Sequence, residues 1–213
     1  MDITWYGLNC FRLTERGQIS VVTDPFADGL GLEVPRLKGD VVTVSHNAPA
    51  FNNVEAVKGC EYVVDAPGEY EIGDVFIYGT AMHTVDEHTG QPVYNVGHSI
   101  HYGKLNVTHL GTLNHVPEQS TIEALGNVNV VIVPVGGGQG LKASEAAEVV
   151  AMIEPSYIVP MFYAIPNLHI ELDSVERFLK VMGVSKVQQE DFLRVSASTL
   201  PEQPKVIILN PQA

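Results

Sequence analysis

Short hydrophobic runs separated by turn-forming residues dominate the chain and predict a strand-rich protein. The run at residues 40–44 is almost continuously apolar, which is typical of a strand buried on both faces of a sheet. The runs that we interpret as strands span residues 3–7, 10–14, 19–23, 40–44, 62–64, 75–78, 99–101, 105–108, 128–133, 193–196 and 206–209.

Two segments have the hydrophobic spacing of amphipathic helices. Residues 142–153 form one, since Ala146, Val149 and Val150 share a face and Pro155 follows the segment. Residues 172–182 form the other, with Asp173 and Glu176 as a predicted capping box and Gly183 as a predicted stop. A third helix is predicted at residues 117–125. This mixture of strands and helices indicates sheets covered by helices.

Composition indicates an ordinary globular protein. Of its 213 residues, 45% are hydrophobic and 17% charged, which provides enough apolar surface for a core and argues against disorder. No repeat or linker divides the chain, so we predict a single domain over residues 1–213. The formal net charge of −13, with Lys and Arg scattered along the sequence, argues against a nucleic-acid partner.

The same features predict a cytoplasmic protein without a membrane segment. No apolar run approaches the ~20 residues that a membrane-spanning helix needs. The first residues lack the basic and apolar regions of a signal peptide. Cys10 and Cys60 do not have C-x-x-C spacing, and we interpret them as two thiols rather than as a disulfide.

Several short motifs then occur in a recognisable order. They are GLNCF at residues 7–11, VTDPF at 22–26, TVSH at 43–46, PGEYE at 67–71, HLG at 109–111, VPVGG at 133–137 and VPM at 159–161. In this order and spacing they resemble the metallo-β-lactamase-fold hydrolases, in particular the small bacterial UlaG-like proteins. The resemblance covers residues 1–182, and residues 183–213 lie beyond it as predicted C-terminal strands.

The resemblance implies an α+β fold, an αββα sandwich of two mixed β-sheets with helices on the outer faces. It places the active site at one edge, where loops that follow strands converge. Members of the family usually hold two zinc ions, or manganese or iron. Such ions lower the pKa of bound water and stabilise the charge that develops during hydrolysis.

The main ligand signature of the family is His-x-His-x-Asp-His. Here residues 46–51 read HNAPAF, so that His46 occupies the first ligand position. Ala48, Ala50 and Phe51 stand at the other three positions, and none of these side chains can coordinate a metal. The next ligand position matches His83, which is kept.

Two further ligand positions are also replaced. Thr112 follows His109 and Gly111 where the family has a bridging aspartate, and Phe162 stands where it has a final histidine. The resemblance therefore implies that five ligand positions are vacated and two are kept. Asn9 departs from a Gly-His-Ser/Ala element near the site, whereas Asp24, which orients the ligand loops in the family, is present.

Two hypotheses remain open. The first is a non-catalytic or strongly diverged hydrolase-like protein, a pseudoenzyme without a metal cofactor, in which Phe51 and Phe162 fill or line a pocket for a small molecule. On this hypothesis no catalytic residue is assigned. It agrees better with the ligand replacements, because a zinc site needs three or four protein ligands.

The second hypothesis is a metal-dependent hydrolase with a remodelled mononuclear site for zinc, manganese or iron. Its ligands would be His46, His83 and a third histidine from His109, His115 or His88. The alternative interpretation of His109 is a residue that supports the site through a hydrogen bond to the backbone. A homo-oligomer agrees with both hypotheses, and neither names a substrate.

Overall fold

The computed structural model describes residues 1–86, 89–185, 187 and 189–212. Its helices are α1 (Gln119–Glu123), α2 (Ala143–Ile153) and α3 (Val175–Val181), and a short 3-10 helix spans Val54–Ala56. The strands before α1 are β1 (Asp2–Trp5), β2 (Phe11–Thr14), β3 (Val21–Thr23), β4 (Leu37–Lys38), β5 (Val41–Thr43), β6 (Val57–Lys58), β7 (Tyr62–Val64), β8 (Gly68–Ile72), β9 (Val75–Val85), β10 (Pro92–Tyr102) and β11 (Leu105–His109). The later strands are β12 (Val130–Pro134), β13 (Tyr157–Met161), β14 (Gln189–Glu190), β15 (Leu193–Arg194), β16 (Lys205–Val206) and β17 (Ile208–Leu209).

The N-terminal sheet has six strands in the order β15-β1-β2-β3-β5-β7. Its outer part is antiparallel, whereas β3, β5 and β7 run parallel to one another. In β1 and β2 the apolar residues alternate with polar ones, so that Ile3, Trp5, Phe11 and Leu13 point into the core. The central strands β3 and β5 are buried along their whole length, as their continuous apolar sequence requires.

The C-terminal sheet has seven strands in the order β16-β13-β12-β11-β10-β9-β8. Parallel strands β11, β12, β13 and β16 form one part of this sheet, and antiparallel β8, β9 and β10 form the other. The β9–β10 pair is the longest, with Val85 opposite Pro92 at one end and Val75 opposite Tyr102 at the other. Both sheets are therefore mixed.

The two sheets face each other across a common core. Tyr102 of β10, in the C-terminal sheet, donates its hydroxyl proton to the backbone oxygen of Ile19, 3.0 Å away, which precedes β3 of the N-terminal sheet. The Phe11 ring of β2 meets the His109 ring of β11 edge-on, with centroids 6.0 Å apart. Helix α2 packs against β12 and α3, and α1 against α2 and β9. The α+β sandwich with two mixed sheets is confirmed.

The outer side of β3 is covered by a small ribbon formed by parallel β4 and β6. Gly39, next to β4, lies against Val22, and a Cβ at Gly39 would approach Val22 Cγ2 to 2.8 Å. A glycine here lets the ribbon lie close to the sheet. The buried Val57 of β6 contributes to the same contact.

Most predicted elements are confirmed, with shifts at their ends. Helix α2 begins one residue later than predicted, and β9 and β10 are much longer because they pair along their entire length. Strands β4, β6, β8, β13 and β14 are additional to those predicted. The segment after Gly183 extends both sheets, since β15 pairs with β1 and β16 with β13.

The predicted start of α3 is wrong. The helix begins at Val175, and its N-cap residue Ser174 makes no side-chain capping bond. Asp173, predicted as the capping residue, lies outside the helix because its backbone N–H donates to the Gly136 oxygen at 2.7 Å. Its carboxylate binds Arg177 instead, at 2.7 Å. The helix ends as predicted before Gly183, whose φ of 69° places it in the left-handed region.

None of the helices in the described part of the chain combines the length and the hydrophobicity that a bilayer crossing requires. Cys10 is buried and Cys60 is half-buried, and both are free thiols, as predicted.

Candidate functional site

The loops that follow β3, β5 and β11 converge at one edge of the sandwich. Asp24, directly after β3, accepts hydrogen bonds from the backbone N–H and the hydroxyl of Ser45, both at 2.6 Å. Ser45 comes directly before His46 in the loop after β5. The backbone of Asp24 lies in the left-handed region, with a φ of 37°, which is costly for a non-glycine residue. Because Asp24 accepts both bonds from Ser45, it holds the loop that carries His46, as the resemblance implies.

His109, the last residue of β11, is buried and has both ring nitrogens engaged. Gly111 N–H donates to Nδ1 at 3.2 Å, so Nε2 carries the proton and donates to the Asn9 backbone oxygen at 2.9 Å. Burial lowers the pKa of His109 to about 4, and the bond to Asn9 raises it only in part. The ring is therefore neutral at pH 7, and Nδ1 lies 3.9 Å from the Asp24 carboxylate, which is beyond hydrogen-bonding distance.

The Asp24 carboxyl is surrounded by protein on all sides. Burial raises its pKa to about 7, against the opposing effect of the two hydrogen bonds from Ser45. A carboxyl group with this pKa is partly protonated near neutral pH.

The loop after β11 is held by Asn95 of β10. The amide nitrogen of Asn95 donates to the Leu110 oxygen at 3.1 Å, and its side-chain oxygen accepts the N–H of Thr112 at 3.1 Å. Gly111, with a φ of 61°, packs so tightly that a Cβ there would lie 2.5 Å from Ser45 Cβ. We call Asn9, Asp24, Ser45, Asn95 and His109 the polar layer, since all five are buried between the sheets.

Asn9 differs from the other members of the polar layer. Its backbone oxygen accepts from Thr23 Oγ1 at 2.7 Å as well as from His109. Its side-chain Nδ2 and Oδ1 are buried and have no hydrogen-bond partner among the residues that the structure describes. A buried amide without partners lowers stability, so the role of Asn9 rests on its backbone.

Above the polar layer lies a cleft of about 230 Å³ that we call the His46 cleft. Its lining consists of His46, Ala48, Thr84, Val85, Asp86, Val93, Thr112, Asn114 and Gln139. Ala48 and Thr112, two of the positions at which the resemblance implies a replaced ligand, therefore lie beside His46. His46 also borders a neighbouring cleft of about 320 Å³, together with Asp65 and Tyr94.

The imidazole of His46 is half-buried, and Nδ1 lies 3.4 Å from the hydroxyl oxygen of Ser45. Burial lowers the pKa of His46 to about 4. The ring is consequently neutral at pH 7 and can accept a hydrogen bond or ligate a metal ion.

The remaining replaced positions pack beneath His46. The Phe51 ring lies 5.4 Å from the His46 ring and 5.9 Å from the Phe162 ring, centroid to centroid. Phe51 and Phe162 are both buried, and Ala50 accepts the Ala27 N–H through its backbone oxygen at 2.9 Å. The backbone of Phe162 lies in the left-handed region, with a φ of 52°. The two phenylalanines thus form part of the core.

His83 lies elsewhere. It is exposed on β9 and borders a separate cleft of about 410 Å³, the His83 cleft, where its ring lies 4.4 Å from that of His115. Its neighbour Thr84 lines the His46 cleft instead. The structure therefore does not bring His46 and His83 into one cleft, and His109 has no free nitrogen for a shared ion. His88, the other histidine considered as a third ligand, lies outside the described residues.

Ser45 and Asn95 are two site residues that the sequence did not reveal. Ser45 could have been suspected, since it follows the buried strand β5 and precedes the retained His46. Asn95 stands within an apolar run, and only the pairing of β10 shows that its amide faces the loop after β11. A polar residue inside an apolar run is a weak signal for such a role.

Comparison with known proteins identifies the family. The model described as "Beta-lactamase superfamily domain" matches residues 2–162. The chain belongs to this superfamily. A UPF0173 protein of Pyrococcus furiosus is 30% identical over 188 residues, which cover 76% of this chain and 83% of that protein. A UPF0173 metal-dependent hydrolase of Thermoplasma acidophilum is 27% identical, with coverage of 86% and 91%.

Among solved structures of the superfamily, one from Thermotoga maritima matches nearly the whole chain. It is assigned to the Zn-dependent hydrolases of the metallo-β-lactamase superfamily and has a TM-score of 0.79 at 32% identity. The match covers 98% of this chain and 97% of that one. The metallo-β-lactamase fold and the relation to metal-dependent hydrolases are therefore established.

The donor atoms present do not fit the two-metal centre that the superfamily implies. Around His46 the replaced positions provide methyl groups, phenyl rings and one hydroxyl, and the nearest buried carboxylate, Asp24, is occupied by Ser45. Within the described ranges, no three His, Cys, Asp or Glu side chains are grouped so that they could hold a metal ion. Since zinc takes three or four protein ligands, this donor set is insufficient.

Proposed function

We propose that this chain is a non-catalytic member of the superfamily, in which the His46 cleft binds a small molecule in place of the two-metal hydrolytic centre. One observation carries the proposal. Ala48 and Thr112, which stand where the resemblance implies two metal ligands, line the cleft beside His46, and the His46 ring contacts the buried Phe51 ring at 5.4 Å between centroids. The His46 imidazole and the hydroxyl and amide groups around it are suited to hydrogen bonding, and they do not provide the three or four protein ligands that each zinc ion takes.

The chemistry of the cleft favours a neutral or cationic ligand. Among the described residues, its lining includes Asp86, whose carboxylate also accepts from the N–H and the hydroxyl of Thr89 at 2.8 Å, and contains neither Lys nor Arg. The side chains of Gln139 and Thr112 offer both hydrogen-bond donors and acceptors, and Val85 and Val93 offer apolar surface. The Asn114 amide is instead paired with the Val85 backbone, donating at 2.7 Å and accepting at 2.8 Å. An anionic ligand would be repelled by a protein whose formal net charge is −13.

The metal part of the proposal is tested by metal analysis of protein purified without an affinity tag. The protein is incubated with zinc and with manganese and then passed through a gel-filtration column, so that only tightly bound ions remain. We expect no stoichiometric ion. One tightly bound ion that is lost in His46→Ala would overturn the proposal and support a mononuclear hydrolase.

A double variant provides the matched control. Ala48→His together with Thr112→Asp places a second imidazole and a carboxylate beside His46 on the same backbone, which completes a three-donor set. We expect this variant to retain one zinc ion through gel filtration. If the double variant retains zinc and the wild type does not, the lack of metal in the wild type follows from the side chains at positions 48 and 112.

The binding part is tested by ligand-observed NMR with a library of neutral, cationic and anionic fragments. We expect neutral or cationic fragments to bind to the wild type. Their binding should be abolished in Ala48→Phe, because the phenyl ring fills the cleft. Ala151→Phe, on the exposed face of α2, is the control. Fragment binding that is the same in both variants would place the ligand elsewhere and contradict the proposal.

A further inference from the structure

We propose that the edge strand β8 and the aromatic side chains beside it form a docking surface for an arginine-containing segment of a partner protein, which adds to the sheet as a further strand. We call Glu69, Glu71, Phe76, Tyr78 and His101 the β8 surface. None of these residues lines the His46 cleft, so the proposal is independent of the function proposed above.

Strand β8 is the longest of the four strands that lie at the ends of the two large sheets. It has five residues, whereas β7 has three and β15 and β16 have two each. Short edge strands protect many proteins against unwanted strand pairing. Strand β8 lacks this protection and is long enough to pair with an extended segment of another protein.

The backbone groups of Glu69 and Glu71 point away from the sheet. A two-residue turn at positions 73–74 joins β8 to β9, so that Ile72 belongs to the pair next to the turn. In such a hairpin the pair next to the turn is hydrogen-bonded, and bonded and non-bonded pairs then alternate. Ile72 and Tyr70 therefore bond to β9, while Glu69 and Glu71 direct their N–H and C=O groups outwards. In the described part of the chain, β8 pairs with no strand other than β9.

The exposed side of the same ribbon pairs acidic side chains with aromatic ones. Glu69 lies directly opposite Tyr78, and Glu71 lies directly opposite Phe76. The two rings are 36% and 42% exposed, respectively, and the Tyr78 ring meets the His101 ring edge-on, with centroids 5.0 Å apart. Exposed aromatic rings are typical of protein contact surfaces.

The charge of this region determines which partner fits. Residues 59–103, which include β7 to β10, contain no Lys or Arg. Glu69 and Glu71 are exposed, and neither forms an ion pair within the described ranges. Burial lowers the pKa of His101, so its ring is neutral at pH 7 and does not compensate the two carboxylates.

Arginine matches both parts of the β8 surface. Side chains at alternate positions of an added strand lie on one face, directly opposite Glu69 and Glu71. A guanidinium group can bind a carboxylate through two hydrogen bonds and also stack on an aromatic ring. An arginine opposite Glu69 would therefore bind its carboxylate and extend towards the Tyr78 ring behind it.

A second copy of this chain does not match the same edge. If two β8 strands paired symmetrically and continued the sheet, the Glu69 and Glu71 side chains of both copies would come together on one face. Like charges at neighbouring positions destabilise a strand pair. The two glutamates therefore oppose self-association through β8 and favour a basic segment.

The test is fluorescence anisotropy of a labelled peptide of about seven residues in which Arg alternates with Thr, titrated with the full chain. A peptide with Glu in place of Arg is the charge control. The test variant combines Glu69→Lys with Glu71→Lys. Its matched control combines Glu123→Lys with Glu148→Lys, which changes the net charge equally at exposed positions of α1 and α2. Circular dichroism checks that both variants are folded.

We expect saturable binding of the Arg peptide and none of the Glu peptide. The test variant should weaken binding about 10-fold or more, and the matched control about 2-fold or less. A fully N-methylated Arg peptide keeps its charges but has no backbone N–H to donate, so its binding should be lost. In the NMR spectrum of the isotope-labelled chain, the Arg peptide should shift the amide signals of Glu69 and Glu71.

Four outcomes overturn the inference. Absence of saturable binding or equal binding of the Arg and Glu peptides would show that the surface does not select a basic segment. An equal effect of the two double variants would place the contact elsewhere. Unchanged binding of the N-methylated peptide would show that no strand is added. Each of these outcomes leaves fragment binding in the His46 cleft unaffected, so the two proposals fail separately.

Discussion

The polar layer lies beneath the His46 cleft, and the two regions differ in how many of the residues implied by the resemblance to metal-dependent hydrolases they contain. Below, Asp24, Ser45, Asn95 and His109 form the hydrogen bonds that hold the loops in place. Above, Ala48 and Thr112 stand where the resemblance implies ligands. The hydrogen bonds of the layer stabilise this edge of the sandwich. The paired members of this buried network contribute to folding whatever lies above them, whereas the Asn9 amide has no partner among the described residues.

The replaced positions divide in turn into two kinds. Phe51 and Phe162 are buried and belong to the core, whereas Ala48 and Thr112 leave an open cleft. Of the positions at which the resemblance implies ligands, two thus provide packing and two provide space. The predictions below test this comparison from the largest expected effect to the smallest.

Removing the packing beneath the cleft should have the largest effect. Phe162→Ala deletes a fully buried ring that contacts Phe51, and we expect a loss of about 3–5 kcal/mol in the free energy of unfolding. Chemical denaturation measures the loss. Phe76→Ala, at a ring that is 42% exposed, is the control and should change stability by about 1 kcal/mol or less. Equal effects of the two substitutions would show that Phe162 is not part of the core.

The buried carboxyl of the polar layer should make stability depend on pH. The pKa of Asp24 in the folded state, about 7, lies above its value in an unfolded chain, about 3.9. Between these values the folded state binds more protons, so the contribution of Asp24 to stability decreases as pH rises towards 7 and is constant above it. Lowered pKa values of His46 and His109 act in the opposite direction.

A comparison of the wild type with Asp24→Asn separates these effects, because both proteins contain the same histidines. From pH 5 to 7 we expect the stability of the wild type relative to Asp24→Asn to fall by about 1 kcal/mol per pH unit at most. Thermal unfolding at several pH values measures the two profiles. Parallel profiles would mean that the carboxyl titrates at an ordinary pKa.

Two buried serines distinguish the polar layer from the rest of the core. Ser45→Ala removes a hydroxyl donor from the Asp24 carboxyl, and we expect a loss of about 2 kcal/mol. Ser99→Ala removes a hydroxyl that pairs with Thr108 Oγ1, 2.9 Å away, and should cost about 1 kcal/mol. Chemical denaturation of both variants compares them, and a larger loss for Ser99→Ala would contradict the importance of the Asp24–Ser45 pair.

The smallest effect is expected at Asn9. Its side-chain amide is buried without a partner among the described residues, while its backbone oxygen carries the bonds to Thr23 and His109. Asn9→Leu keeps the backbone oxygen and a similar volume, so stability should change by about 1 kcal/mol or less, or increase. A loss well above this value would show that the amide has a partner in solution, such as a buried water molecule.

Much of the fold could be predicted from sequence patterns, since alternation and helical spacing report directly on burial. Helix α2 is placed to within one residue, whereas the start of α3 is not, because Asp173 bonds to Gly136 and Arg177 instead of capping the helix. Asp24 and the backbone bond of His109 were also predicted. Asn95 was not, because its role depends on the register of β10 with β11.

By itself the sequence determined which donor atoms the chain possesses at the positions of the family's ligands, because side-chain identity alone excludes Ala48, Ala50 and Phe51. The tertiary structure alone decided which histidines meet. The pairing of His83 with Tyr94 across β9 and β10 sets the register, and with it the face on which His83 lies. The two clefts divide β9 along its length, since Met82 and His83 line one and Thr84 and Val85 line the other. Position along paired strands, unlike composition, is set by the fold, and it separates His83 from His46 and places it beside His115.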